Sequence, residues 1–459
     1  MNFDLVIHGG TLVTASEIFI SDIGIVDGKI AVLGRRLRGK QMIDAGGKLV
    51  LPGAVDPHVH LEMPQGTAVS SDNFETGTIA AAYGGTTTII DFVEPEGEQK
   101  LVEALRLRQG QANGRAVIDF GLHMTIAKVN ADTLAQIPEA FNAGCFSFKT
   151  YTIYDGFYLD DNEMLEALSA VRAVNGLLIV HAENRHIVDR LQKQFLAADK
   201  TGPRYHPRSR PSIVEGTAIN RVLALAEIAG CPIYVVHVST QAGAKAVQAA
   251  QERGQIAYGE TCPQYLLLTD AEYERPGREG AKYICSPPLR PKGNPQALWD
   301  SLAELHLNSV GTDHCPFFYQ GTKDLDYNDF TQIPNGLPGI ESRLALLYSY
   351  GVRQNRISLN RWVEVCCTAP AKIFALYPRK GSLMPGADAD IVIFDHEREV
   401  TITADMLHEN VDYTPYEGFS LRGYPQITLV RGQIMVQDGE FVGPQGWGKF
   451  LSRPYAGQS

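Results

Sequence analysis

Positive charge is scarce in this chain. Lys and Arg total 41 against 52 Asp and Glu, a net charge of −11 over 459 residues. No Lys/Arg-rich block reverses that balance locally. This excludes a binder of the nucleic-acid backbone, whose affinity rests on clustered cations. Long apolar runs are missing too. None reaches the ~18 residues that a membrane helix needs. The first stretch, MNFDLVIHGGTLV, carries Asp4, lacks a basic lead and is broken by His8, Gly9 and Gly10. It reads as neither a signal peptide nor a membrane span, so a cytoplasmic protein with no membrane partner is expected. The seven cysteines (Cys145, Cys231, Cys262, Cys285, Cys315, Cys366 and Cys367) form no CxxC pair. That gives no support to a zinc ribbon or a thioredoxin-like motif and points to reduced thiols. No GxGxxG follows the first strand, and no internal repeat or low-complexity tract stands out. With 44% hydrophobic and 20% charged residues, a mainly disordered chain is also excluded.

What is present is strand–helix alternation. Residues 1–52 are β-rich: Phe3–Ile7, Ile23–Val26 and Lys29–Leu33 are short apolar strands, and Asp27-Gly28 is a hairpin turn signal. From Val55, eight short apolar runs alternate with stretches of helical spacing such as Glu163–Val174 and Val214–Ala229. The runs are Val55–His60, Thr86–Phe92, Val117–Met124, Cys145–Thr150, Leu177–Ala182, Ile233–Val238, Ile256–Thr261 and Ser309–Asp313. Rich in Val, Ile and Thr, they suit parallel strands buried on both faces. Eight such units over about 300 residues predict an α/β fold, a (β/α)₈ TIM-type barrel. Helical regions follow near Ile340–Tyr350 and Trp362–Leu376. β character then returns at Asp390–Phe394, Ile427–Val430 and Gly432–Val436. The expected organisation is a barrel over 53–379, a small β-sandwich domain built from 1–52 and 380–440, and a C-terminal tail over 441–459.

The chemistry-bearing residues gather at the C-terminal ends of the runs, where barrels carry their active sites. Asp56-Pro57-His58-Val59-His60 closes the first. Residues i and i+2 of a strand point to one side, so both imidazoles can reach one ion. Leu177–Val180 runs into His181, Ile233–Val236 into His237, and Ser309–Thr312 into Asp313. A lone histidine after an apolar run is usually a satisfied core residue. Four imidazoles and a carboxylate at corresponding strand ends are not explained that way. This donor set suits zinc, and also manganese or iron. Lys149 ends the fourth run. Its bland reading is a lysine snorkelling from a strand end to water. A free ammonium beside divalent cations would be repelled, so Lys149 could be a ligand only as a carbamate formed with CO₂.

The motifs DPHVHLEMP (56–64), FSFKTYTIY (146–154), VHAEN (180–184), VVHVS (235–239), GETCPQYL (259–266), CSPPLR (285–290), GTDHCPF (311–317) and IPNGLPGIE (333–341) resemble the hydantoinase/dihydropyrimidinase family of cyclic amidohydrolases. The likeness spans nearly the whole chain and is nearest to the bacterial D-hydantoinase type. It implies two divalent metal ions, zinc with manganese or cobalt as alternatives. His58 and His60 would bind the more buried ion, His181 and His237 the second. Lys149, as N6-carboxylysine, would bridge both, and Asp313 would complete the first site. Tyr154 matches the family tyrosine five residues after the lysine. Ser286 and Asn335 match positions that hold the amide or imide edge of the substrate ring, largely through backbone groups. His123 and His314 are expected to pack, and Asp91 and Glu183 to orient ligands rather than bind metal. Cys315 has no histidine arrangement that would make it a nucleophile beside a metal site.

The activity implied is hydrolysis of the cyclic amide bond of hydantoins or dihydropyrimidines to N-carbamoyl amino acids. A metal-bridging hydroxide would attack, Asp313 would shuttle the proton to the leaving nitrogen, and Tyr154 would hydrogen-bond the oxyanion. The substrate is a small cyclic amide, and the assembly implied is a homotetramer or homodimer. An allantoinase- or dihydroorotase-like activity is the nearest rival; CSPPLR with IPNGLPGIE favours the hydantoinase type. A non-catalytic scaffold like the collapsin response mediator proteins lacks metal ligands, whereas all six ligand positions are filled here. Three residues depart from the family pattern. Gln65 stands where a bulky apolar residue is common, and Tyr151 and Tyr158 where phenylalanine is.

Overall fold

The computed structural model describes residues 2–453. Eight strands form the barrel: β1 (Ala54–Val59), β2 (Thr86–Val93), β3 (Asp119–Thr125), β4 (Ser147–Tyr151), β5 (Leu177–His181), β6 (Ile233–Val235), β7 (Ala257–Thr261) and β8 (Ser309–Val310). They pair in chain order, every pair parallel. The ring closes where His314 bridges Val59 and the Asp313 N–H donates to His58 O at 3.0 Å. Every residue of β1 to β5 is buried, as runs of Val, Ile and Thr covered on both faces require. The helices between them lie outside. Asp161–Ala173, for one, starts at a capping box in which Asp160 and Glu163 satisfy each other's backbone N–H.

All eight expected runs hold a barrel strand, but two strands stop short. β6 ends at Val235 and β8 at Val310. His237 (φ +40°) and Asp313 (φ +52°) are in the left-handed region, which no strand can include. The apolar run continues past the point where the backbone turns.

Both ends of the chain share one nine-stranded, mostly antiparallel sheet. Phe3–Val13, Ile18–Val26, Lys29–Gly34, Gly39–Asp44 and Leu49–Pro52 come from the start. Ile391–Thr401, Ser420–Val430, Gln433–Gln437 and Glu440–Phe441 come from the end. Leu49–Pro52 joins the halves by pairing antiparallel with Ile391–Thr401, Val50 opposite Ile393. The hairpin at Asp27-Gly28 forms as expected, both residues having positive φ. Ile7, Leu12, Ile23, Val50, Ile391 and Leu429 pack in the core of this sheet.

Charged groups fasten the sheet to the base of the barrel. The fully buried Lys380 ammonium lies 2.6 Å from both Asp119, at the start of β3, and Asp390, and 3.1 Å from Asp388. Arg431 also pairs with Asp119. Of the segment expected as a tail, 454–459 lie outside the described residues. Phe441 belongs to the sheet, pairing with Val436, Phe450 bridges to Phe120, and Arg453 donates to Leu122 O and, at 2.9 Å, to Ser147 Oγ. Among the described residues no helix is long and apolar enough to cross a membrane.

Candidate metal centre and active site

The strand ends converge on one cavity of about 280 Å³. His58 Nε2, His60 Nε2 and Asp313 Oδ1 form a triangle with each edge 3.2 Å. Donors bound at about 2.0–2.1 Å in tetrahedral geometry stand roughly 3.3 Å apart, so the triangle matches three corners of a single ion site. Lys149, Tyr154, His181, His237, Ser286 and Asn335 line the same cavity. The nine residues expected to bind metal, bind substrate or catalyse therefore meet there, although among the described residues only His58, His60 and Asp313 are drawn into one tight cluster. The His181 and His237 rings lie 4.5 Å apart, and His237 is 5.5 Å from His58.

Burial sets the protonation of these groups. It pushes His58 and His237 well below the ordinary imidazole range, and lowers His181. Neutral imidazole is the form that binds metal. Burial alone would raise the Asp313 carboxyl, but His58, His60 and Lys149 hold it down, so it stays ionised. Burial lowers Lys149 to about 8, its ammonium lying 5.0 Å over Phe92 and 5.1 Å over Tyr151. Burial also raises Tyr154, which keeps its proton as a hydrogen-bond donor. Tyr154 (φ +77°), His237 and Asp313 all have left-handed backbones. Non-glycine residues in that region cost free energy and cluster at functional sites.

Carboxylates behind the rim aim the imidazoles. Glu260, on β7, accepts from Tyr234 Oη (2.7 Å) and His237 N–H (3.2 Å) and lies 2.7 Å from His58 Nδ1. That contact turns His58 Nε2 towards the cavity. Burial raises Glu260 to about 7. Glu183 Oε2 lies 2.9 Å from His181 Nε2 and 2.5 Å from Arg210 Nη1. Although burial opposes it, Arg210 and His181 hold Glu183 down to about 2. Asp56 accepts from the His58 and Thr312 N–H groups, tying the first ligand strand to the last.

The expected orienting role fits Glu183. Asp91 does not bond a ligand ring; it pairs with Arg108 at 2.6 Å. His123 packs between Ser147 Oγ (2.6 Å) and Pro57 O (2.9 Å), and His314 bonds Asp72 at 3.0 Å. Cys315 lines the cavity, but burial drives its thiol well above the ordinary range, so no thiolate is available. Sequence reasoning missed Glu260 and Arg210. GETCPQYL was recognised as a motif, yet the position of Glu260, a carboxylate one residue before the C-terminal end of a barrel strand, was the unused signal.

Buried imidazoles and a carboxylate at the C-terminal mouth of a (β/α)₈ barrel define a barrel enzyme equipped to hold metal. The model of the amidohydrolase family matches residues 49–435. A D-hydantoinase of Geobacillus stearothermophilus is 45% identical over 451 residues, 97% of this chain and 96% of that one. Among solved structures, a D-hydantoinase superposes with a TM-score of 0.97 at 43% identity, covering 99% of both chains. The dihydropyrimidinase from Brevibacillus agri NCHU1002 gives 0.97 at 42%, again over 99% of both. The chain belongs to the amidohydrolase family and, within it, to the hydantoinase/dihydropyrimidinase group.

Proposed function

We propose that the chain hydrolyses the cyclic amide bond of hydantoins or dihydropyrimidines and releases N-carbamoyl amino acids. The observation that carries this is the 3.2 Å triangle of His58, His60 and Asp313 at the rim of a barrel shared, end to end, with D-hydantoinases. Those three residues would hold one divalent ion and His181 and His237 a second, with carbamylated Lys149 between them. Zinc suits this donor set, as do manganese and cobalt. Bound there, the ions supply an acidified water and a Lewis acid for the amide oxygen.

The side chains supply the remainder. Asp313 accepts the proton of the attacking water and returns it to the ring nitrogen as the C–N bond breaks. The Tyr154 hydroxyl donates to the amide oxygen as it gains negative charge. Ser286 and Asn335 hold the amide edge of the ring. Lys149, lowered to about 8 by burial, is neutral in part at neutral pH. Its nitrogen lone pair then adds to the carbon of CO₂, and the displaced proton leaves to solvent.

Elemental analysis of the purified chain should find about two divalent ions per chain. Chelation should abolish opening of 5-substituted hydantoins, and zinc, manganese or cobalt should restore it. Full activity without metal would overturn the proposal. Lys149→Ala and Lys149→Arg should both lose metal, because a guanidinium stays cationic and cannot become a carbamate ligand. An arginine variant holding two ions with normal turnover would make Lys149 structural. Each enantiomer of a hydantoin panel, together with dihydrouracil, defines the substrate. Sedimentation separates the homotetramer from the homodimer.

A further inference from the structure

Gln65 stands on the loop that leaves β1, in a wall between two cavities. The inner one holds the histidine cluster. The outer one, about 670 Å³, is bounded by Arg185, Asp189 and Gln332. Gln65, Tyr154 and Asn335 line both. Within that wall the Asn335 backbone N–H donates to Gln65 Oε1, and Gln65 Nε2 donates to the Asn335 carbonyl at 3.1 Å. The Asn335 side chain is engaged elsewhere, with Ser286 Oγ at 2.8 Å and Ile333 O at 3.0 Å. Among the described residues, Gln65 alone is bonded to its backbone donor and acceptor.

The shape of this contact matters. A primary carboxamide presents its oxygen and one N–H side by side, syn across the C–N bond. A trans peptide cannot offer that edge. An amide within a small ring is locked cis and offers the same edge as the Gln65 side chain. We propose that the Gln65 carboxamide is an internal stand-in for a ring amide, occupying the Asn335 backbone pair that a cyclic substrate takes. This rests on the cyclic-amide reading of the site. Substrate enters by displacing Gln65, and the exchange replaces two hydrogen bonds with two of the same kind. A ligand without a syn amide edge, such as an ester or a free carboxylate, cannot replace both and is disfavoured. Gln65 is thereby a specificity-determining latch. It sits on a short hairpin, Pro64–Gln65 paired with Ala68–Val69, turning at Gly66 (φ +62°).

The test compares wild type with Gln65→Leu, which removes both bonds, and Gln65→Glu, which keeps the acceptor but loses the donor. Two readouts are taken: steady-state kinetics on hydantoin and dihydrouracil, and hydrogen exchange at the Asn335 amide. In Gln65→Leu, KM should fall by about three- to tenfold, the effect of removing roughly one net hydrogen-bond equivalent of competition. kcat should change little, Asn335 should exchange faster, and Gln65→Glu should fall between. Ring opening with unchanged KM and unchanged exchange overturns the latch. A raised KM also overturns it, since Gln65 would then contact substrate. If neither protein opens any ring, the cyclic-amide reading falls and takes the latch with it, an outcome distinct from ring opening with unchanged KM, which overturns the latch alone.

Discussion

The barrel buries charge at both ends, and the two ends do it differently. At the base, the Lys380 ammonium meets carboxylates of Asp119, Asp390 and Asp388, and Arg431 adds a second cation against Asp119. Each charge there has an opposite partner, and the partners join the barrel to the terminal sheet. At the rim, four imidazoles, an ammonium and the Asp313 carboxylate line one cavity, and His58 Nε2 and His60 Nε2 both lie 3.2 Å from Asp313 Oδ1. The His60 Nδ1 atom is buried without a hydrogen-bond partner among the described residues. Buried charge that is paired fastens the fold. Buried donors that converge on open space are a site.

The comparison can be broken from either end. The largest expected effect is at the rim. Asp313→Asn keeps the shape but removes the base, so kcat should fall by about 10²–10⁴-fold, with substrate affinity and the unfolding midpoint changed far less. An active Asp313→Asn enzyme would mean that another group carries the proton. At the base, Lys380→Met takes the cation from buried Asp390 and one of two from Asp119, which keeps Arg431. A loss of about 3–5 kcal/mol is expected in urea unfolding, while the folded fraction keeps its metal content and kcat. Lost metal with unchanged stability would show that the two ends are not separate in role. The smallest effect sharpens the rim itself. Tyr154→Phe should lower kcat by about 10²-fold, the lower end for one oxyanion donor because metal shares that charge, with metal content unchanged. Wild-type turnover in that variant would remove Tyr154 from the mechanism.

Most of the rim was legible in the sequence because a parallel barrel strand is a nearly continuous apolar run, and a polar residue at its end stands out. His58, His60, His181, His237, Lys149 and Asp313 were visible in that way. Groups that act across the fold were not. Gln65 meets Asn335 at a separation of 270 residues, and Lys380 meets Asp119 at 261. No local pattern encodes either pairing. The early ends of β6 and β8 were hidden for a related reason. The left-handed turns at His237 and Asp313 are imposed by the surrounding packing, whereas the local composition still reads as strand. Gly39–Asp44, mostly exposed and polar, gave no alternating signal at all.

The sheet shared by the two ends of the chain also sets an order of events during synthesis. Leu49–Pro52 finds its antiparallel neighbour only when Ile391–Thr401 has been made, whereas each barrel strand pairs with the strand translated just before it. Contacts between distant parts of a chain form slowly because the intervening loop must first be closed. On the ribosome the barrel strands can therefore pair as they emerge. The first N-terminal strands can pair among themselves, but Leu49–Pro52 lacks its antiparallel neighbour in that interval, leaving apolar residues such as Val50 uncovered and open to a chaperone.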